Sequence, residues 1–141
     1  MIKIATIEDL DTILRMADQF VWEIQYGHIT SSEKIKAVAE EVLSANKKEK
    51  IVILFDDIGI LAGVTTPLLF SDALIATELM WWVHPDHRKK DVGFQLLKTF
   101  EYWASQVGAK FVSMTSVDER VGKFYEANGY ALYERVYFKE I

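Results

Sequence analysis

The stretch Val83-His84-Pro85-Asp86-His87-Arg88-Lys89-Lys90-Asp91-Val92-Gly93-Phe94-Gln95-Leu96-Leu97 decides the reading of this chain. It runs from an apolar strand, through a polar and basic loop, into the start of an amphipathic helix. A helix N-terminus presents unpaired backbone N–H groups and a partial positive charge, which suits a phosphate. Arg88, Lys89 and Lys90 add positive charge at that end, and Gly93 lets a backbone or a ligand approach closely. Two readings stand side by side on spacing alone. One is a pyrophosphate cradle; the other is a solvated loop whose lysines face water.

Outward from this stretch the chain alternates strand and helix patterns. Upstream, Ile2–Ala5 reads as a short strand, and Thr6 with Asp9 forms a capping-box pattern ahead of a helix with Leu10, Ile13, Leu14, Ala17 and Val21 on one face. Gly27–Thr30 breaks that pattern. Ser31 or Ser32 caps a second helix with the stripe Ile35, Val38, Ala39 and Val42, and Lys47-Lys48-Glu49-Lys50 reads as a solvated connection. Ile51–Phe55 is a continuous apolar, β-branched run, hence a buried strand. The Asp56-Asp57-Ile58-Gly59 turn leads to a strand over Ile60–Thr66, which Pro67 ends, and a further strand covers Ile75–Val83.

Downstream, the helix opening at Val92 carries Leu96, Phe100, Trp103 and Val107 on one face and stops at Gly108. Lys110–Thr115 is a strand. Asp118 opens a short helix carrying Val121, Phe124 and Tyr125, and Asn128-Gly129 ends it. Tyr130–Lys139 reads as a final strand or hairpin. The predicted order is β-α-α-β-β-β-α-β-α-β: an α/β fold of the α+β type, with a mixed, mostly antiparallel sheet and a parallel pair around the main helix. Length and the absence of a linker predict one domain over residues 1–141.

Composition narrows the function. The apolar half and the 26% charged residues are those of a globular protein. The chain has no cysteine, which excludes disulfides, thiolate nucleophiles and thiolate metal sites. His84 and His87 share a loop without a third ligand in evidence, a poor metal site. The net charge of −5 disfavours nucleic-acid binding and suits a basic acceptor. The most apolar long window, Ile51–Phe70, contains Asp56, Asp57, two glycines and Pro67, so no membrane span is expected; no signal peptide is evident either, and a cytoplasmic location is the default expectation.

With the order of elements and this stretch in view, the chain resembles the GNAT family of N-acetyltransferases. The family's signature is a strand ending Val-x-Pro, followed by Arg or Gln-x-x-Gly-x-Gly or Ala at a helix start. This chain offers Val83-His84-Pro85 and then Arg88-Lys89-Lys90-Asp91-Val92-Gly93. A later family pattern, Asn-x-x-Ala-x-x-Leu or Phe-Tyr-Glu before Gly-Phe or Gly-Tyr, is matched by Asp118 through Glu126 and by Gly129-Tyr130. The resemblance implies an N-acetyltransferase that moves an acetyl group from acetyl-CoA (coenzyme A) to a primary amine by direct attack. The amine belongs to a small molecule or to a protein or peptide. It also implies that Trp82, Val83, Asp118 and the backbone of Arg88, Lys89, Lys90, Asp91, Val92, Gly93 and Phe94 hold the cofactor. The pantetheine arm would lie where the strand ending at Val83 splays from Lys110–Thr115. The late aromatic strand permits a homodimer.

Tyr125 matches the tyrosine that serves the family as general acid toward the departing thiolate; its alternative is a core aromatic. Glu78 is the candidate general base. It sits in an otherwise apolar strand, where burial would raise its pKa. Its alternatives are a cross-strand partner or a solvent-facing side chain. Strict alternation puts Glu78, Met80 and Trp82 on one side, and a bulge would break that parity. His84 is the reserve base. Trp22, Tyr26 and His28, with Tyr133 and Tyr137, are candidates to line an acceptor pocket or are plain packing. The sequence departs from the family at three places: Asp91 for the signature's first glycine, Asp118 for asparagine and Val121 for alanine. A carboxylate at Asp91 would face phosphates unless a neighbouring cation neutralises it or it caps the helix. The alternative reading is therefore a domain of this fold with weak or no catalysis, acting as a CoA-binding or structural module.

Overall fold

The computed structural model describes residues 1–44 and 50–141, so the Lys47-Lys48-Glu49 run lies outside the described residues. Five strands form one sheet in the order β1-β2-β3-β4-β5: β1 (Lys3–Ile4), β2 (Ile51–Asp56), β3 (Gly59–Pro67), β4 (Leu74–Val83) and β5 (Ala109–Ser113). The first three pairings are antiparallel, and β4–β5 is parallel. Among the described residues four α-helices, α1 (Leu10–Glu23), α2 (Ser32–Ser44), α3 (Val92–Gln106) and α4 (Glu119–Ala127), flank the sheet, with α3 as the crossover between the parallel strands.

The apolar run of β2 is explained by burial on both faces. Val52 and Leu54, with Leu61, Ala76 and Val83, pack against Leu96, Phe100 and Trp103 of α3. Ile53 and Phe55, with Ile60, Ala62 and Trp82, pack against Ile13 and Met16 of α1. Alternate residues of one strand thus serve two cores, the arrangement that erases an alternating pattern from the sequence. The buried face of α1 runs through Ile13 and Met16, with Phe20 packed beside them. Leu10, Leu14, Ala17 and Val21 are only partly buried, so the helix is turned slightly from the expected stripe. The Thr6–Asp9 capping box is present and feeds α1 through a short 3-10 turn.

Two sequence expectations are corrected. First, β4 does not alternate strictly. Ala62 pairs with Met80 and Gly63 with Glu78, which leaves Leu79 as a bulge. The bulge puts Glu78 on the face toward α3, opposite Met80 and Trp82. Gly63 makes room there: a side chain in its place would run into the Phe100 ring. Second, Tyr130–Lys139 is not a strand. Residues 130–141 follow α4 with no strand pairing, and the described order ends in a helix. A strand exists through its ladder, and β5, the edge nearest in sequence, is not paired to this segment. Its β-forming side chains Leu132, Tyr133, Val136, Tyr137 and Phe138 consequently stay exposed.

Candidate active site

The parallel pairing of β4 with β5 stops at Thr77 opposite Ser113. Beyond that point β4 continues to Val83 with a strand on its β3 side only. The bulge at Leu79 begins where the two strands part. This is the splay expected from the sequence, and Glu78 stands at its apex.

Glu78 is 8% exposed and is the buried charged residue of the described core. One carboxylate oxygen accepts the backbone N–H of Thr115 at 3.0 Å. Burial pushes its pKa up from 4.5 to about 7, against the opposing pull of that hydrogen bond. The carbonyl of the same Thr115 accepts the hydroxyl of Tyr125 at 3.0 Å. Tyr125 is 5% exposed, and its pKa is raised above the ordinary value of 10 by burial first and by the negative charge of Glu78 second. The phenol therefore stays protonated at any working pH. Glu78 and Tyr125, separated by 47 positions of sequence, hold Thr115, one from its amide and one from its carbonyl. The sequence could not point to Thr115, because its contribution is made by backbone atoms.

An aromatic cluster fills the adjoining space. Trp81 stacks on Phe124 with ring centroids 5.8 Å apart and lies 5.6 Å from Tyr125. Its indole N–H is buried without a hydrogen-bond partner. An orphaned buried donor is uncommon in a folded chain. Gly93 comes close to the same indole: a Cβ there would stand 3.3 Å from Trp81 Cζ2. A side chain there would press on the indole, so glycine suits the close start of α3 beside β4.

The loop from His84 to Asp91 contains a 3-10 turn over Pro85–His87. The His84 N–H bonds to the Ile58 carbonyl at 2.8 Å, and His84 Nδ1 accepts the Asp86 N–H at 3.2 Å. That second bond engages Nδ1 of the ring. Lys89 and Lys90 are exposed, with Lys90 Nζ 3.2 Å from His87 Nδ1. Asp91 is the N-cap of α3, and its exposed side chain makes no capping hydrogen bond. Arg88 turns away from the helix start and pairs with Glu23 rather than with Asp91. Asp118 caps α4, its carboxylate accepting the Val121 N–H at 2.8 Å. The asparagine-to-aspartate departure is neutral for that purpose, since both residues cap helices.

Beside the loop, Asp18, Gln19, Trp22, Glu23, Trp82 and Pro85 line an open cleft of about 360 Å³. Of the predicted pocket residues Trp22 is on this wall. Tyr26 instead packs on Phe138 at 5.8 Å, and Tyr133 and Tyr137 are exposed. Among the described residues no group of three histidine, aspartate or glutamate side chains is arranged to hold a metal, and no helix is long and apolar enough to cross a membrane.

Comparison with known proteins follows the same line. Residues 39–132, two thirds of the chain, match the family described as "Acetyltransferase (GNAT) domain". The chain belongs to the GNAT acetyltransferase family, and by class it is an N-acyltransferase. No curated protein sequence matches it. Among solved structures it is similar to the aminoglycoside acetyltransferase AAC(6')-Iy, determined with a bisubstrate analogue of CoA and acetylneamine: 21% identity, TM-score 0.77, covering 100% of this chain and 97% of that one. It is also similar to the aminoglycoside 6'-N-acetyltransferase AAC(6')-IG of Acinetobacter haemolyticus, with 18% identity, TM-score 0.77 and coverage of 100% and 98%. A third is a ribosomal-protein-alanine N-acetyltransferase of Brucella melitensis biovar Abortus 2308, with 16% identity, TM-score 0.74 and coverage of 100% and 98%. At these identities the likeness concerns the fold. Two of the three are named for aminoglycosides and one for a ribosomal-protein alanine, so the shared fold does not choose an acceptor.

Proposed function

We propose that this chain, acting as one domain, transfers the acetyl group of acetyl-CoA to a primary amine by direct attack. The observation that carries this reading is the Thr115 peptide held between Glu78 and Tyr125 at the point where β4 and β5 part. A carboxylate with a pKa near 7 accepts the proton of the attacking amine, directly or through water. A phenol held protonated supplies a proton to the thiolate as the C–S bond breaks. The amine nitrogen gains the acetyl carbon, the sulfur leaves with the tyrosine proton, and the amine proton ends on Glu78. The edge of β4 at Trp82 and Val83, beyond its pairing with β5, and the amides from Arg88 to Phe94 would hold the pantetheine and pyrophosphate, with Lys89 and Lys90 supplying charge. The orphaned Trp81 N–H supports a ligand in this position.

For the acceptor, the cleft beside Trp22 fits an organic cation. It joins an exposed indole to the carboxylate of Asp18, the pairing that attracts an ammonium group. Aminoglycosides, the acceptors named for two similar structures, are one such class, and a peptide amine is another. The same proposal includes a homodimer, supported by the exposed apolar side chains of residues 130–141 and the free edge of β5. Sedimentation equilibrium should give twice the 16.2 kDa of the chain, and a monomer at all concentrations would remove this part.

Calorimetric titration with acetyl-CoA tests the core of the proposal. The native chain should bind, and Asp91→Gly should bind about fivefold more tightly, because a carboxylate leaves the helix end that receives phosphate. Asp91 also supports a second reading, in which the chain keeps the fold and the cofactor but catalyses weakly. Binding without turnover across an amine panel selects that reading. Absence of binding by both proteins rejects the donor site.

A further inference from the structure

Arg88 belongs to the basic loop by sequence, yet its guanidinium is directed at protein acceptors. Nε donates to the Val83 carbonyl at 2.9 Å, and one terminal nitrogen lies 2.5 Å from each carboxylate oxygen of Glu23. Glu23 is the last residue of α1. It also accepts the indole N–H of Trp82 at 2.7 Å. One carboxylate on α1 thus ties together the last two residues of β4 and the middle of the loop that follows them. The near end of that loop is fixed separately by the His84 N–H on the Ile58 carbonyl. Two fasteners therefore hold the segment between β4 and α3, and α3 opens shortly after it at Val92.

We infer that Glu23 is a positioning residue of the donor site, acting through Arg88 to fix the loop whose amides receive the pyrophosphate. The inference rests on the donor-site reading given above. Its physical basis is preorganisation: a loop already held in its binding geometry loses less freedom when the ligand arrives. Arginine is required because its planar fork reaches the Val83 carbonyl and Glu23 together, which a lysine ammonium cannot do. Moving Arg88 onto a phosphate would leave the Val83 carbonyl without this donor and leave Glu23 without its cation. The sequence carries no sign of the link, since the partners are 65 positions apart.

A double-mutant cycle on acetyl-CoA affinity, read by calorimetry, tests it. Glu23→Gln and Arg88→Gln should each raise Kd about tenfold, and the double variant should be no weaker than either single one. Arg88→Lys should not restore affinity. The KM for acetyl-CoA should rise in step with its Kd. A direct phosphate contact by Arg88 predicts the opposite for Glu23: freeing the guanidinium would tighten binding or leave it unchanged. Either result, or additive losses in the cycle, overturns the inference. If Arg88→Gln does not fold, Glu23→Gln alone decides by the sign of its effect. A native chain that fails to bind acetyl-CoA rejects the donor site and this inference with it. A native chain that binds, with Glu23→Gln binding equally well, rejects the inference alone.

Discussion

Glu78→Gln should lower turnover by at least about a hundredfold, while leaving the Kd for acetyl-CoA near its native value. The native chain should show a rate that rises with pH through about 7, as the buried carboxylate loses its proton and becomes able to accept one from the amine. The glutamine variant should lose that rise. Stability should move in the other direction, and the sign follows from linkage. The carboxyl titrates near 4.5 in the unfolded chain and near 7 in the folded one, so the folded state holds its proton more firmly. That contribution is present in full below 4.5, declines as pH rises, and is gone above about 7. The difference amounts to about 3 kcal/mol. Glutamine has no charge to bury and can still accept the Thr115 N–H. Glu78→Gln should therefore melt at a higher temperature than the native chain at pH 8.5 and at a similar one at pH 4.5. Thermal denaturation at the two pH values checks this beside the kinetics. A variant that keeps full turnover removes Glu78 as the base; one that loses turnover with no pH-dependent gain in stability shows that the charge was not buried.

The same residue shows how far a sequence can be read. Glu78 stood out because a carboxylate interrupts an apolar strand, and that chemical contrast survives any uncertainty of geometry. Which face it occupies was not legible, because the Leu79 bulge depends on a partner strand: Gly63 opposite Glu78 must be small enough to lie against Phe100. Helix starts were legible at Thr6 and Asp118, where a side chain caps its own neighbourhood. Arg88 was misleading for the opposite reason. Its charge pointed to phosphate, whereas its partner, Glu23, lies on another helix, and no local pattern records such a pair. The final segment repeats the lesson. The aromatic and β-branched residues of Tyr130–Lys139 favour a strand, but a strand requires a neighbour, and among the described residues none is paired to it.

Tyr125→Phe should cost about tenfold to a hundredfold in turnover, with acetyl-CoA affinity little changed. At first sight a phenol whose pKa lies above the ordinary value is a poor acid. Burial is the larger cause of that elevation, and the charge on Glu78 adds to it. When Glu78 takes the proton of the amine its charge disappears, and Tyr125 becomes more acidic in the same step that generates a thiolate needing a proton. The base therefore prepares the acid, and the shared grip on Thr115 keeps both beside the end of β5. This coupling makes a prediction that separate roles would not. The double variant Glu78→Gln with Tyr125→Phe should lose less than the product of the two single losses, since removing the charge already removes the timing that links them. The phenylalanine variant should still show the rise through pH 7, because Glu78 remains, and it should lose about 1 kcal/mol of stability with the Thr115 hydrogen bond. Steady-state kinetics on the four proteins, with a urea titration of each, decides the matter. Unchanged turnover in Tyr125→Phe removes the phenol from the chemistry. Fully multiplicative losses leave both residues in place and remove the coupling between them.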